Sequence, residues 1–464
     1  GVCIQPPRER ASDITNYINV RRSCAVRKRV VTMFDVFEKN ESIVRSYCRK
    51  YPVVFDKAVN SELFSADGQR YIDFLAVAGS MNYGHNNPYI KKAILDYLSE
   101  DRAINLLDMY TVAKEEFLDT YNKMILEPRG MNYKVMCCGP TGTNAVEAAI
   151  KLARKNTKRT EVFAFSGGYH GMTLGALALT TDQVSREGGC VPLTNVTHIP
   201  FEGTPGVDAL GYLRWLLSDD HSGVELPAAI ILETVQAEGG INVASNEFLQ
   251  GLRQICDEYG IVLIFDDIQI GNGRSGWFFS FERAGVQPDM VVISKSIGGF
   301  GLPMAILLIK PELDIFRPAE HNGTFRGNQL SFVGGTAAIK YYVENKLDEK
   351  VKRQAQIIEN WIKTEIMPMD ERLTYRGIGF MWGIDFIDIN PKLAIECVHE
   401  AFDRHLIMEV AGRKDAVLKI MPPLTISDEL LIEGLGIAKE AIIAAMAKKQ
   451  VKTSLLKERT FSSR

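Results

Sequence analysis

The sequence predicts an α/β protein, with a large domain around a mostly parallel central sheet and a smaller α+β domain drawn from both chain ends. Three observations lead to this. Short apolar runs without alternation recur at Val162–Phe165, Ala229–Leu232, Ile261–Phe265, Met290–Ile293 and Ala305–Ile309, the pattern of strands buried on both faces. Helical patterns such as Asn144–Arg154 and Asn246–Tyr259 separate them, as crossover connections between parallel strands require. A chain of 464 residues, 46% of them hydrophobic, also exceeds what a single core usually holds.

Along the chain, residues 1–30 carry Arg8, Arg10, Arg21, Arg22, Arg27, Lys28 and Arg29 against Glu9 and Asp13, a balance of +5 that leaves about −8 on the remainder of a chain of net charge −3. With acidic residues present and no clean apolar stretch, residues 1–32 read as a loosely ordered basic extension rather than a targeting signal. Residues 33–90 are expected to begin the small domain. They include a hairpin-like stretch, Glu62–Phe74, in which Asp67-Gly68 separates Leu63–Ser65 from Arg70–Phe74. The large domain is expected over 91–330 and the rest of the small domain over 331–447, with short strands around Gly377–Phe386 and Val417–Ile420. Residues 448–464 read as a polar, solvated tail.

The overall charge and a pI near 6.3 give no reason to expect nucleic acid or a membrane surface as partner. No apolar run approaches the roughly 18 residues needed to span a bilayer. The eight cysteines (Cys3, Cys24, Cys48, Cys137, Cys138, Cys190, Cys256, Cys397) show no zinc or disulfide spacing, which predicts reduced thiols, no metal site and a cytoplasmic location. A small-molecule enzyme fits this profile.

Ligands of a parallel sheet gather where strands end and helices begin, so polar residues just after apolar runs are the candidates. Four places qualify. Cys138-Gly139-Pro140-Thr141-Gly142-Thr143-Asn144 opens a helix, whose free N–H groups and hydroxyls suit a phosphate; no Gly-Lys-Ser/Thr follows, so it is not a nucleotide loop of the Walker type. Ile264-Phe265-Asp266-Asp267-Ile268-Gln269 brings acids to a buried strand end, where a carboxylate needs a cation or donors; a protonated heterocycle nitrogen is one such partner, a metal or solvent another. Val292-Ile293-Ser294-Lys295-Ser296 sets a lysine directly after a strand, where desolvation favours the nucleophilic amine. Phe165-Ser166-Gly167-Gly168-Tyr169-His170-Gly171 offers Tyr169 for stacking on a flat ring. Each alone has an ordinary structural explanation. Together they are the parts that hold a phosphorylated pyridine aldehyde.

With these residues in hand, the sequence resembles the class III (ω-amino acid) aminotransferases of fold type I, from about Tyr51 to Ser427. The resemblance rests on Gly84-His85-Asn86-Asn87-Pro88, the run Gly142 to Ala149, Tyr169-His170-Gly171, the run Glu233 to Gly240, the Asp266–Gly276 signature, Ser294-Lys295, Thr324-Phe325-Arg326-Gly327-Asn328, Arg376-Gly377-Ile378-Gly379 and Pro422-Pro423-Leu424. It implies pyridoxal 5'-phosphate (PLP) as cofactor, with Lys295 as its Schiff-base lysine and proton shuttle and Asp266 as partner of the pyridine nitrogen. It further implies Gln269 near the ring hydroxyl, Tyr169 on the ring face, Gly142 and Thr143 at the phosphate, and His170 and Glu233 among the cofactor-binding residues. Thr324 matches a threonine that reaches the neighbouring subunit's cofactor, which implies a homodimer, with a dimer of dimers left open.

Within the class the likeness is to the diaminobutyrate-forming branch of the ectoine-pathway type, through Phe74–Pro88, Gly139–Glu147, Asp266-Asp267-Ile268-Gln269 and His321–Gly327. The implied substrates are amino and oxo acids, with glutamate donating to aspartate 4-semialdehyde. Ornithine, 4-aminobutyrate and other ω-amine donors are the alternatives, and a cofactor-binding regulator without activity is disfavoured because Lys295, Asp266 and the phosphate loop are all present. Ile270 and Asn272 depart from the signature. Lys419 stands where many members carry an arginine that clamps the α-carboxylate of glutamate or 2-oxoglutarate, and a lysine offers one point charge in place of a bidentate fork. Glu238 matches a position that pairs with that cation and helps switch between substrate poses.

Overall fold

The computed structural model describes residues 27–461, and side chains over residues 34–448. Expectations for residues 1–26 lie outside the described residues. Of the described residues, those from Arg27 to Asp56 fall in one unit, in which Arg27–Asn40 and Tyr47–Lys50 are helical; the unit from Lys57 onward holds everything that follows.

Seven strands form the central sheet: β1 (Lys134–Gly139), β2 (Val162–Phe165), β3 (Val196–Ile199), β4 (Ala229–Leu232), β5 (Val262–Asp266), β6 (Met290–Ile293) and β7 (Ala305–Ile309). Their spatial order is β1-β7-β6-β5-β4-β2-β3. The pairs β2/β3, β2/β4, β4/β5 and β5/β6 are parallel, whereas β7 runs antiparallel to both β6 and β1. The mostly parallel sheet is therefore present, with β7 as its exception. Strands β2, β4, β5, β6 and β7 are buried at every position, the reason their sequences are unbroken apolar runs. The two strands that stand out less in the sequence, β1 and β3, are the sheet's edges. Both are only partly buried, so neither needs such a run.

Helix α1 (Gly142–Thr157) crosses one face of this sheet on a stripe of Ala145, Val146, Ala148, Ala149, Ile150, Leu152 and Ala153. A capping box between Thr141 and Asn144 starts it, and Lys158 in the left-handed region ends it. Helix α2 (Asn246–Tyr259) is capped by Ser245, which accepts from Phe248 N–H at 3.0 Å, and stops at Gly260, φ +59°. Both deliver the chain back to a strand whose carboxyl end faces the same rim.

The expected hairpin forms from Glu62–Ser65 and Arg70–Asp73, with Gly68 at φ +89° in its turn. Its second strand pairs in parallel with Leu406–Ile407, so segments from both ends of this unit share one sheet. A further antiparallel sheet comprises β8 (Thr374–Ile378), β9 (Met381–Asp385), β10 (Glu409–Ala411) and β11 (Val417–Ile420), in the order β8-β9-β11-β10. The helix Asp428–Phe461 follows and continues through the stretch expected to be a polar tail. Among the described residues no helix is long and apolar enough to cross a membrane, and Cys48, Cys137, Cys138, Cys190, Cys256 and Cys397 are free thiols.

Arg274, with no exposed surface, joins three of these segments. Its guanidinium donates to Asn82 Oδ1 at 2.6 and 3.1 Å and to the carbonyls of Phe380 and Pro422, each at 2.9 Å. Burial lowers its pKa to about 9, still high enough to keep the charge at neutral pH. Arg274→Ala would strand those buried acceptors and leave a cavity. The expected outcome is a loss of about 3 kcal/mol or more in denaturant-unfolding stability; a loss under about 1 kcal/mol, the net worth of a single hydrogen bond, would contradict this role.

Candidate active site

The carboxyl ends of β2, β4, β5 and β6 gather the polar residues singled out above. Lys295 follows β6 after Ser294 and adopts φ +53°, an uncommon left-handed conformation for a residue with a side chain. Its turn is held from behind by helix α3 (Gln329–Glu344): a Cβ on Gly299 would lie 2.2 Å from the Gly334 carbonyl oxygen. The half-buried Lys295 amine makes no hydrogen bond among the described residues. Burial lowers its pKa to about 8, Lys419 adds to that effect, and Glu238, Asp266 and Glu233 oppose it.

Asp266 closes β5 with 3% of its surface exposed. Its Oδ2 lies 2.7 Å from His170 Nδ1, and its Oδ1 accepts from Ile268 N–H at 3.1 Å. Burial alone would lower the pKa of His170, yet the adjoining Asp266 carboxylate raises it overall. His170 Nε2 is buried with no partner. Glu233, at the end of β4, accepts from the backbone N–H groups of Tyr169 at 2.8 Å and Ala237 at 3.2 Å. Burial drives its pKa up to about 7. The neighbouring Asp267 turns to the other side of the strand, accepts from Ser280 O–H and N–H, and is likewise raised by burial to about 7.

Gly142 and Thr143 open helix α1, where first-turn N–H groups have no intrahelical acceptor. A Cβ on Gly142 would come 2.6 Å from Ile268 Cδ1, so glycine lets the loop lie against the segment that carries Asp266. The Thr143 hydroxyl lies 2.6 Å from that of Thr173, which donates to Glu147 at 2.6 Å. The Tyr169 ring is partly exposed, at 37%.

On the far side, the Gln269 amide donates to the Ala78 carbonyl at 3.0 Å, and its oxygen accepts from Lys419 Nζ at 3.0 Å. Lys419, 1% exposed, also donates to Glu238 Oε1 at 2.9 Å and stands 3.6 Å from Glu409 Oε2. Burial works against the ammonium, but Glu238 and Glu409 together raise its pKa. Glu238 is depressed to about 2: burial would raise it, and Lys419 and Lys295 outweigh that. Ala76, Val77 and Ala78, beside Gln269, all have positive φ, at +47°, +49° and +52°, and Gly79 at +87° ends this left-handed run.

The fold thus brings Lys295, Asp266, His170, Glu233, Tyr169, Gln269, Glu238 and Lys419 into one network of bonds and electrostatic neighbours, with Gly142 and Thr143 packed against Ile268. Thr324 is different. It is exposed in the loop before α3 and bonds to none of them. The sequence does not mark Glu409 or Arg274 as neighbours of the site. Arg274 lies within a recognisable signature, but Glu409 is linked to it only by a strand register that a three-residue strand does not announce.

The residues suit a phosphorylated pyridine aldehyde. Asp266 has acceptor capacity beyond its two bonds, the Lys295 amine is unengaged, and helix α1 offers free N–H groups. A site of this kind on this fold defines an enzyme of amino-group chemistry, and the comparisons give its family. Residues 44–442 match the family model for class-III aminotransferases, and the chain belongs to that PLP-dependent family. It is 48% identical to the diaminobutyrate–2-oxoglutarate transaminase of Halalkalibacterium halodurans, over 90% of this chain and 99% of that one. The enzyme of the same name from Vibrio parahaemolyticus is 49% identical over 89% and 98%. Among solved structures, an ornithine aminotransferase from Toxoplasma gondii with partial PLP occupancy shares the fold, with a TM-score of 0.79 and 21% identity over 96% of this chain and all of that one.

The lowered Lys295 pKa has a direct consequence. The amine is mostly neutral above about pH 8 and protonated below it. Capture of the cofactor aldehyde by the cofactor-free protein, followed by absorbance, should therefore rise with pH and reach half its plateau near pH 8; a midpoint above 10 would show an ordinary solvated lysine.

Proposed function

We propose that this aminotransferase moves an amino group between L-glutamate and L-aspartate 4-semialdehyde, giving 2-oxoglutarate and L-2,4-diaminobutyrate. The observation that carries this reading is near-50% identity, over about nine-tenths of the chain, to enzymes named for that reaction. Bound PLP supplies an aldehyde that takes up the amino group and a ring that accepts the electrons of a breaking C–H bond.

The chain's own residues do the rest. Gly142 and Thr143 present amide N–H groups to the phosphate. Asp266, steadied by His170, would hold a proton on the pyridine nitrogen. Tyr169 and Gln269 would hold the ring, and Glu233 keeps the Tyr169 backbone in place. Lys295 would supply the amine for the aldehyde and would take and return the substrate proton as general base and acid. Lys419 would serve as the cation for the α-carboxylate of glutamate or 2-oxoglutarate, and Glu238, paired with it, would help switch between substrate poses. The site must accept glutamate by its α-amine and diaminobutyrate by its terminal amine.

We further infer a homodimer in the cytoplasm. Tyr110 is fully exposed, and Val112, Met109 and Phe325 each keep 56% or more of their surface exposed; apolar exposure of this kind favours a covered face. Dimerisation is the route by which Thr324 would reach a neighbouring cofactor. Sedimentation should give a dimer at micromolar concentration, and Thr324→Val should speed cofactor loss about fivefold, the worth of one hydrogen bond. A monomer with full activity would remove this assignment.

The test of the reaction is a steady-state panel with 2-oxoglutarate as acceptor. Diaminobutyrate should exceed ornithine and 4-aminobutyrate in kcat/KM; a clear preference for either competitor would move the substrate assignment within the class. Lys295→Ala should lower turnover by about 10²–10⁴-fold and abolish the lysine-bound cofactor absorbance. Asp266→Asn should cost about 10²–10³-fold in kcat, with binding of the cofactor less affected.

A further inference from the structure

Glu147 follows Thr143 by four residues on helix α1, and residues so spaced are neighbours on one helix face. Both meet the segment that comes after Tyr169 and His170. Glu147 Oε1 accepts from the Thr173 hydroxyl at 2.6 Å and from the Ala176 N–H at 3.0 Å, where the short helix Leu174–Leu179 begins. The Thr143 and Thr173 hydroxyls stand 2.6 Å apart. Two glycines make room for these contacts: a Cβ on Gly171 would strike the Thr143 hydroxyl, and one on Gly175 would strike the Glu147 carboxylate.

The protons of this chain can run in one direction only. A carboxylate accepts and does not donate, and a threonine hydroxyl has a single proton to give. Thr173 gives its proton to Glu147, so the proton between the two hydroxyls belongs to Thr143. What Thr143 has left for an anion is its backbone N–H, one of the first-turn groups without an intrahelical acceptor.

We propose that Glu147 is a positioning residue for the phosphate end of the cofactor: through Thr173 it fixes Thr143, so that the phosphate is met by first-turn amides and not by the Thr143 hydroxyl. This rests on the phosphate placement given above and deepens it. Other groups hold the ring end. The Tyr169 N–H donates to Glu233 at 2.8 Å, the His170 N–H donates to the Thr180 hydroxyl at 3.0 Å, and His170 Nδ1 lies 2.7 Å from Asp266. Loss of Glu147 therefore loosens the grip on the phosphate and leaves the grip on ring and aldehyde in place.

The experiment loads the full-length protein with PLP or with 5'-deoxypyridoxal, the same ring aldehyde without a phosphate. Absorbance of the lysine-bound aldehyde after dilution gives a release rate for each. Glu147→Ala removes the acceptor, and Glu147→Gln keeps an oxygen at the same reach. The expected result is release of PLP about tenfold faster from E147A, the worth of one hydrogen bond to a charged group. Release of deoxypyridoxal should stay within about twofold, and E147Q should stay close to the wild type for both. Equal acceleration of both aldehydes, as a merely structural residue would give, overturns the proposal. So does PLP release from E147A that is unchanged or slower, and so does an E147Q that behaves like E147A. If E147A does not fold, Thr173→Val carries the test: it removes the linking hydroxyl and should speed release of PLP alone, and unchanged rates overturn the proposal. A wild type that releases both aldehydes at one rate removes the phosphate placement and this proposal with it; a wild type that holds PLP longer, with variants that do the same, removes the role of Glu147 alone.

Discussion

The Asp266 carboxylate ends β5 with almost no surface in water, and a charge so placed persists only while donors or cations face it. Much of the site follows from meeting that requirement. His170 is bound to one oxygen and the Ile268 amide to the other, which fixes the loop after β2 against the end of β5. Ile268 in turn lies where Gly142 must lack a side chain, so the start of helix α1 is drawn to the same rim. Glu233 answers the same demand at the end of β4 with backbone N–H groups, and by doing so sets the Tyr169 backbone. The Lys295 amine alone among these groups is left without a hydrogen bond among the described residues, and burial has already moved it toward its neutral, nucleophilic form.

How much of this was legible in the sequence follows from the same physics. Strands buried on both faces must be apolar at each position, so β2, β4, β5, β6 and β7 could be read nearly residue by residue. Edges carry no such demand, and the sequence marks β1 and β3 only weakly as strands. The residues at strand ends were readable because polarity directly after an apolar run is conspicuous, and the resemblance then attached roles to Lys295, Asp266 and Gln269. The antiparallel course of β7 had no local signature, since a run of five apolar residues reads the same in either direction. Glu409 was invisible for a related reason. Its meaning lies in being opposite Lys419 ten residues later, and that depends on the register of two short strands. The three positive φ values at Ala76–Ala78 are equally hidden, because alanine and valine rarely adopt that region and Gly79 marks only the end of the run.

Two different pieces of architecture therefore meet at this cluster of residues. The ends of a seven-stranded sheet set Asp266, Glu233 and Lys295, and a packed sheet is not easily shifted by a single substitution. A smaller antiparallel sheet sets Lys419 on β11 opposite Glu409 on β10, with a loop carboxylate, Glu238, beside them.

The two pieces are not electrically separate. Glu238 holds up the Lys295 pKa and Lys419 pushes it down, so the Lys295 amine feels charges carried by the smaller sheet as well as those at its own strand ends. Lys419 in turn holds Glu238 far below the usual carboxylate range, which keeps that negative charge in place beside a buried ammonium. The protonation of Lys295 is therefore set by both sheets together, and a charge removed from either one moves it.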